Sequence, residues 1–338
     1  MIVMRYSARS ILALDVSPFG RSLNLIPAMR ALRASLPHAY VGVAAHIGTC
    51  EALMAQGLVD VTIPLGVVKM PGAGPDAIKR GWILVRQTRG YNFELILDFS
   101  PRLETQLISR LVLGAPVLSP ARLPGAIGRL LEFGGAVRST GSPALADYSS
   151  VLRQLDADIQ DKRIGIVPPP EEDGIFEKRL HASGFRGGEM LVLLYASNPG
   201  SARGWPVAAF AEIATRMANN FNARIVVADE PGDTSLTRSV DRWLPAGSLK
   251  LVQPRALEVV AAIARASVVI TDEAVIAQIA AELGTPAIEI RDYLTTAGSS
   301  SHRIVSGSSR GKVSVDEVFD AACEMIQENR SRSLFQRS

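Results

Sequence analysis

Short, continuous apolar runs alternate with helix-length stretches almost from one end of the chain to the other. The runs are SILALDV, YVGVAA, VDVTIPL and FELILDF in the first half, and MLVLLYAS, ARIVVAD, SLKLV, ASVVIT and PAIEI in the second. They show no in–out alternation, as expected of strands covered on both faces. Strands of that kind separated by helices build βαβ units and parallel sheets. The spacing predicts helices over 21–36, 48–56, 75–89 and 103–113, and then over 206–220, 234–243, 256–265, 274–283 and 314–328. In the helix from Pro206, the residues Val207, Phe210, Ile213, Met217 and Phe221 recur at helical spacing and make one buried stripe. Pro206 stands near its first turn, where the missing N–H costs nothing.

The pattern fails over 114–188, which holds APVLSPARLPGAIG, GSPAL and GIVPPPEEDG. The run Val167 to Pro170 reads as a stiff, extended connection. The expected organisation is therefore α/β, with a Rossmann-like unit over 1–168, a second over 169–330 and a basic tail over 331–338. Two doubly wound units facing each other leave a cleft at the carboxyl ends of both sheets, where ligands are expected to bind.

Composition narrows the chemistry. The chain has 338 residues, 47% hydrophobic and 20% charged, as for a globular protein with large cores. A net charge of +3 suits phosphorylated ligands or an anionic membrane surface and is too weak to argue for nucleic acid. Cys50 and Cys323 lie far apart in sequence, which excludes a disulfide framework or a cysteine-based zinc site, and both read as buried thiols. His38, His46, His181 and His302 show no metal-ligand spacing, so no metal is expected. No Gly-x-Gly-x-x-Gly follows the first strand, and GAGP at 72–75 follows no suitable strand, so no nicotinamide cofactor is expected. No apolar run reaches the roughly 18–20 residues of a membrane-spanning helix. The opening MIVMRYSARSILALDV reads as a strand rather than a signal peptide. A cytoplasmic protein is expected. The tail NRSRSLFQRS, with arginines around Leu334 and Phe335, reads as a frayed end or a contact with the inner face of the membrane.

An ordered set of segments resembles glycosyltransferase family 9, the ADP-heptose:lipopolysaccharide heptosyltransferases. That family opens with a strand, Arg-x-Ser-x-x-Gly-Asp and a helix carrying Pro-Ala-x-x-x-Leu-Arg; here the matching stretch is DVSPFGRSLNLIPAMRALRASLP. YNFELILDFSPRLET looks like YDLVIDLQGLLRS, and NPGSARGWPVAAFAEIA looks like PGA…KRWP…FAEL. ADEPGD looks like GGPxE, and DEAVIAQIAAELGTP looks like NDSGPMHLAAALGTP. The resemblance implies a glycosyltransferase-B fold. It also implies inverting, metal-independent transfer of a heptose-like sugar from a nucleotide-diphosphate donor to a lipopolysaccharide-type, glycan or lipid-linked acceptor. The first unit would take the acceptor and the second the donor.

Such a transfer needs a base for the acceptor hydroxyl and positive charge or N–H dipoles at the leaving diphosphate. Ser197, Asn198, Gly200 and Ser201 offer small side chains and open backbone N–H groups after the strand MLVLLYAS. Arg203 stands where the family has a phosphate-contacting cation, and the other reading is a solvated arginine. Trp205 reads as a packing residue. Glu273, Ala274 and Val275 stand where the family has Asp-Ser-Gly at a helix start, just after Asp272; Val275, in the glycine's place, hinders close phosphate approach, and Gln278 replaces a histidine. Glu273 is assigned to a sugar hydroxyl or to a favourable first-turn charge. Asp233 matches the acidic nucleotide-side position or caps the helix from Thr234.

At the first turn, Ser17 to Gly20, two charges have exchanged places relative to the family. Arg21 occupies the position of the proposed base and cannot accept a proton. Asp15 occupies the position of a basic residue. Either the two form a reversed ion pair that ties strand to helix, or Asp15 is the base, or no base remains. Glu104 replaces a cation that would meet an anionic acceptor, which disfavours a phosphorylated one. Three readings follow: an active transferase of altered specificity; a catalytically silent relative that binds a nucleotide sugar or a partner protein; and a nucleotide-sugar epimerase of similar shape.

Overall fold

The computed structural model describes residues 8–17, 19–65, 88, 90–100, 115–119, 143–196, 204–231, 234–291, 302–306 and 313–335. They fall into two compact units, Met1–Ile164 and Gly165–Ser338. Each is built on one parallel sheet.

The first sheet contains β1 (Ser10–Leu14), β2 (Tyr40–His46), β3 (Val61–Leu65), β4 (Leu95–Asp98) and β5 (Val117–Leu118), in the order β3-β2-β1-β4-β5. β1 therefore pairs with β2 on one side, Leu14 opposite Ala44, and with β4 on the other, Leu14 opposite Asp98. The chain fills one flank and then the other, so the sheet reverses its direction of growth between β1 and β4. The region expected to be helical over 21–36 is two helices, α1 (Phe19–Ser22) and α2 (Leu25–Ser35). The reason is Pro27. A proline ring clashes with the carbonyl four residues earlier and offers no N–H to it. That carbonyl is Leu23, and it takes the Ile26 N–H instead at 2.9 Å. Asn24 Nδ2 donates to the Arg21 carbonyl at 2.8 Å and helps close the break. α3 (Ile47–Ala55) follows β2. The expected helices over 75–89 and 103–113 lie outside the described residues, apart from Thr88, which is helical.

Among the described residues of the stretch where the apolar pattern fails are the helices α4 (Pro143–Leu152) and α5 (Pro170–Ala182). α5 buries only Phe176 and Leu180 among its apolar side chains, too few for a periodic signal. Ion pairs add to its hold on α8 (Ala256–Arg265). The nearly buried Glu172 meets Arg255 just before α8, Arg179 meets the nearly buried Glu258, and Arg265 reaches Asp173 at 2.6 Å.

The second sheet contains β6 (Leu191–Tyr195), β7 (Arg224–Ala228), β8 (Leu249–Leu251), β9 (Val268–Thr271), β10 (Ala287–Arg291) and β11 (His302–Ser306), in the order β11-β10-β9-β6-β7-β8. Its direction of growth reverses between β6 and β9. Around it lie α6 (Val207–Phe221), α7 (Ser235–Val240), α8, α9 (Ala274–Glu282) and α10 (Val315–Phe335). Phe210, Ile213 and Met217 of α6 are buried as the periodicity predicts, with Val207 and Phe221 partly buried against the same core. Trp205 is buried, meets Phe210 edge-on at 4.9 Å and donates its indole N–H to Val313 at 2.8 Å, so it packs as expected. α10 extends to Phe335 rather than fraying after 328, since no proline or glycine interrupts it. Val318, Ala321, Ala322, Met325 and Ile326 form its buried stripe. Cys323 lies off that stripe and is only partly buried, contrary to expectation, whereas Cys50 is buried and its thiol is pushed up to about 11 by burial.

On β10, Glu289 is 1% exposed and accepts hydrogen bonds from Arg291 and from His302 Nε2 at 2.8 Å. Burial pushes its carboxyl up, but the bonds from His302 and Arg291 outweigh burial and hold it below the ordinary value of 4.5. A carboxyl depressed in the folded state contributes stability above its unfolded pKa and loses it as pH falls through the folded one. Glu289→Gln should therefore destabilise the protein by about 1–3 kcal/mol at neutral pH. Measured by melting against pH, the gap to the parent protein should close as pH falls below 4.5.

Candidate active site

In open parallel sheets, ligands bind past the carboxyl ends of the strands where the direction of growth reverses, because the two flanking loops diverge there. In the first unit that point lies between β1 and β4. Asp15 is the residue after β1, and its N–H continues the ladder to Ala44 at 2.9 Å. It is 0% exposed. Its Oδ1 accepts the Ser17 N–H at 2.8 Å, which folds the start of the turn as an Asx turn. Its Oδ2 accepts the hydroxyl of Tyr148, from α4. Tyr148 is also 0% exposed, stacks on Phe99 at 5.0 Å with 16° between ring planes, and lies 3.3 Å from the Arg21 carbonyl. Burial pushes the phenol well above its ordinary value of 10.0 and the Asp15 charge adds to this, while the Arg21 guanidinium pulls it back. The phenol thus remains a proton donor at working pH. Tyr148 stands with both charges of the turn: it donates to Asp15 and feels Arg21.

The rest of this edge is polar and ordered. Asp98, at the end of β4, is buried and accepts the Ser100 N–H at 2.9 Å, and Ser100 Oγ accepts the Val16 N–H at 3.0 Å. His46, at the end of β2, caps α3 by accepting the Gly48 N–H on Nδ1 at 3.1 Å, which leaves no proton on that nitrogen. Gly20 is buried in α1, next to Phe19, whose ring lies 5.6 Å from His46. Ser22 and Thr49 pair through their hydroxyls. Ser17 is half-buried.

In the second unit the reversal lies between β6 and β9. Tyr195, the last residue of β6, pairs in register with Ala228 and Thr271. Asp229 and Glu230 follow β7, and Asp272 and Glu273 follow β9. Burial pushes the Tyr195 phenol well above its ordinary value, and the charges of Glu230, Glu273, Asp272 and Asp229, in falling order, push it further. Asp229 is committed to structure: it accepts the N–H groups of Leu236 at 2.8 Å and Thr237 at 3.0 Å, and the Thr237 hydroxyl. It thereby satisfies the start of α7 from outside the helix. Asp272 Oδ2 takes the Trp205 N–H at 3.4 Å. Glu273 precedes α9, makes no side-chain cap and donates its N–H to Thr271 Oγ1 at 3.0 Å. Ala274 is exposed and Val275 buried at that helix start. Gln278 bonds Glu282 at 2.8 Å, one turn on.

The structure thus gathers Asp15, Ser17, Gly20 and Arg21 at one edge, and Asp272, Glu273 and Ala274 at the other, with Gln278 one turn into α9. Ser197, Asn198, Gly200, Ser201, Arg203, Asp233 and Glu104 lie outside the described residues. Sequence reasoning missed Tyr148, Asp98, Ser100, His46 and Tyr195. Asp98 and Tyr195 each end or nearly end an apolar run, and that position was a usable signal. Nothing local marks Tyr148 as the partner of a residue 133 positions away. Among the described residues, no group of histidine, cysteine, aspartate and glutamate side chains could hold a metal ion, and no helix is long and apolar enough to cross a membrane.

No protein-family sequence profile matches this chain, and no curated protein sequence matches it. Solved structures do. A glycosyl transferase family 9 structure from Veillonella parvula superimposes with a TM-score of 0.67 at 15% identity, covering 95% of this chain and 98% of that one. The Escherichia coli heptosyltransferase WaaC, solved with ADP-2-deoxy-2-fluoro heptose, gives 0.62 at 15% identity, covering 95% and 99%. A UDP-GlcNAc 2-epimerase from Neisseria meningitidis, bound to UDP-GlcNAc, gives 0.54 at 12% identity, covering 95% and 92%. The chain has the two-sheet α/β fold of these glycosyltransferase-B proteins.

Asp229 generates a direct prediction. Asp229→Ala removes three bonds from the start of α7 and should cost about 1–3 kcal/mol in denaturant unfolding. Asp229→Asn, which can still accept, should cost less.

Proposed function

We propose that this chain is a glycosyltransferase that moves a sugar, heptose or a relative, from a nucleotide-diphosphate donor to a glycan or lipid-linked acceptor of the cell envelope. What carries the reading is the fold likeness over 95% of the chain to a heptosyltransferase solved with an ADP-heptose analogue. The polar groups at both sheet reversals support it.

In this reading the first unit takes the acceptor. Asp15 accepts the proton of the acceptor hydroxyl. The oxygen attacks the anomeric carbon from the face opposite the diphosphate, the bond from that carbon to the phosphate oxygen breaks, and the nucleoside diphosphate leaves with its electron pair. Configuration inverts. Arg203 and the N–H groups of Ser197, Asn198, Gly200 and Ser201 receive the charge that develops on the diphosphate, so the step is routed without a metal. Glu273 and Asp272 take sugar hydroxyls, and Asp233 takes the nucleotide side. Glu104 turns the site away from strongly anionic acceptors. A lipid-linked acceptor would place the protein at the cytoplasmic face of the membrane, with the basic tail at the surface.

A second reading, a silent protein that binds a nucleotide sugar, is favoured by one observation: Asp15 is fully buried with both oxygens engaged.

Incubation with ADP-heptose and a panel of ADP- and UDP-sugars separates the two. Release of nucleoside diphosphate with transfer to a neutral oligosaccharide or to deacylated lipopolysaccharide core supports the transferase. Calorimetric binding of ADP without turnover of any donor supports the silent binder, and absence of both refutes each. Arg203→Ala should weaken ADP binding about tenfold, or about 1.4 kcal/mol.

A further inference from the structure

We propose that Tyr148 is the positioning residue of Asp15, holding the carboxylate in the one orientation from which it takes the acceptor proton. The inference rests on Asp15 being the base in the transferase reading.

The geometry is specific. Each carboxylate oxygen has one short-range donor, the Ser17 N–H on Oδ1 at 2.8 Å and the Tyr148 hydroxyl on Oδ2. Two donors on two oxygens fix the plane of the group. An ionised carboxylate has about four acceptor sites, so each oxygen keeps acceptor capacity beyond its one donor. The Ser17 bond is local and comes with the turn. The Tyr148 bond is delivered by a separate helix, α4, and the ring cannot swing because it is fully buried against Phe99 at 5.0 Å.

Packing alone does not call for a hydroxyl here. Phenylalanine would fill the same space, and a buried hydroxyl costs free energy unless it is bonded. The hydroxyl has its bond at Asp15. Arg21, at the position where the resemblance places the base, lies beside the phenol and pulls it back toward its ordinary value. Tyr148 thus joins the two charges exchanged at the turn into one unit.

The test is a mutant cycle on the whole chain, with the ADP- or UDP-sugar and the oligosaccharide acceptor of the panel above that the parent protein uses fastest. Tyr148→Phe should lower kcat about 10- to 100-fold with both KM values within about twofold. Asp15→Asn should lower kcat about 1,000-fold. The double variant should be no slower than Asp15→Asn, because a residue acting only through Asp15 has nothing left to position. Multiplied losses in the double variant, or an unchanged kcat in Tyr148→Phe, overturn the inference. Should the melting curve show that Tyr148→Phe does not fold, 3-fluorotyrosine at 148 keeps ring and hydroxyl and makes a stronger donor. It should lower kcat at constant KM, and an unchanged kcat again overturns the inference. Normal transfer by Asp15→Asn refutes the inference while leaving the transferase standing. A parent protein that turns over no donor of that panel refutes both.

Discussion

A carboxylate taken wholly out of water is tolerated only where hydrogen-bond donors and a compensating charge accompany it. The first unit meets that condition at Asp15. Ser17 supplies one donor by folding back over two residues, and Tyr148 supplies the other by bringing α4 to the end of β1. Arg21 lies beside the phenol. Break any member and a buried charge or hydroxyl is left exposed to its own desolvation cost. The turn, the start of α1 and the docking of α4 are in this sense one interaction seen from three elements.

That condition also bears on chemistry. The same donors that make burial tolerable hold the carboxylate in place, so in the transferase we propose, stability and orientation of the base would draw on the same bonds. Arg21 cannot take a proton, and beside Tyr148 it pulls the phenol back toward its ordinary value. The exchange of charges relative to the resembling family is thereby matched by a third residue, Tyr148. At the second sheet the carboxylates divide their work differently. Asp229 satisfies the start of α7, Asp272 holds the Trp205 N–H, and both, with Glu230 and Glu273, surround the buried end of β6.

Much of the scaffold was legible from periodicity. Runs such as ILAL and LVLLY read as two-face-buried strands because no residue in them could face water. The α6 stripe read correctly for the complementary reason, since one face of it could not. The errors share a cause. The break at Leu23–Asn24 follows from a proline ring meeting a carbonyl four residues back, a clash that the apolar pattern does not encode. α5 went unread because ion pairs to Arg255, Glu258 and Arg265 supplement its short apolar stripe, and charge pairing across helices has no local period. Cys323 reads as a core thiol by residue type, but its angle on α10 turns it off the stripe. Asp15, Arg21 and Glu273 were singled out through the resemblance, and the structure sets Asp15 and Glu273 just past apolar strands, where parallel sheets collect polar groups, and Arg21 in α1. Tyr148 was not, because its role exists only through a partner 133 residues away.

The sequence by itself determined the class of fold, two parallel-sheet units, and the turns at which polar residues gather. Both follow from nearest-neighbour chemistry: strand burial, helix period and the conformational limits of proline. Only the tertiary structure decided what those polar residues do. Asp15 is paired with Tyr148 rather than judged by its spacing from Arg21, and Asp229 rather than a residue of the helix itself satisfies α7. Hydrogen bonds and desolvation depend on distances between groups remote along the chain, and a linear pattern carries no record of those distances.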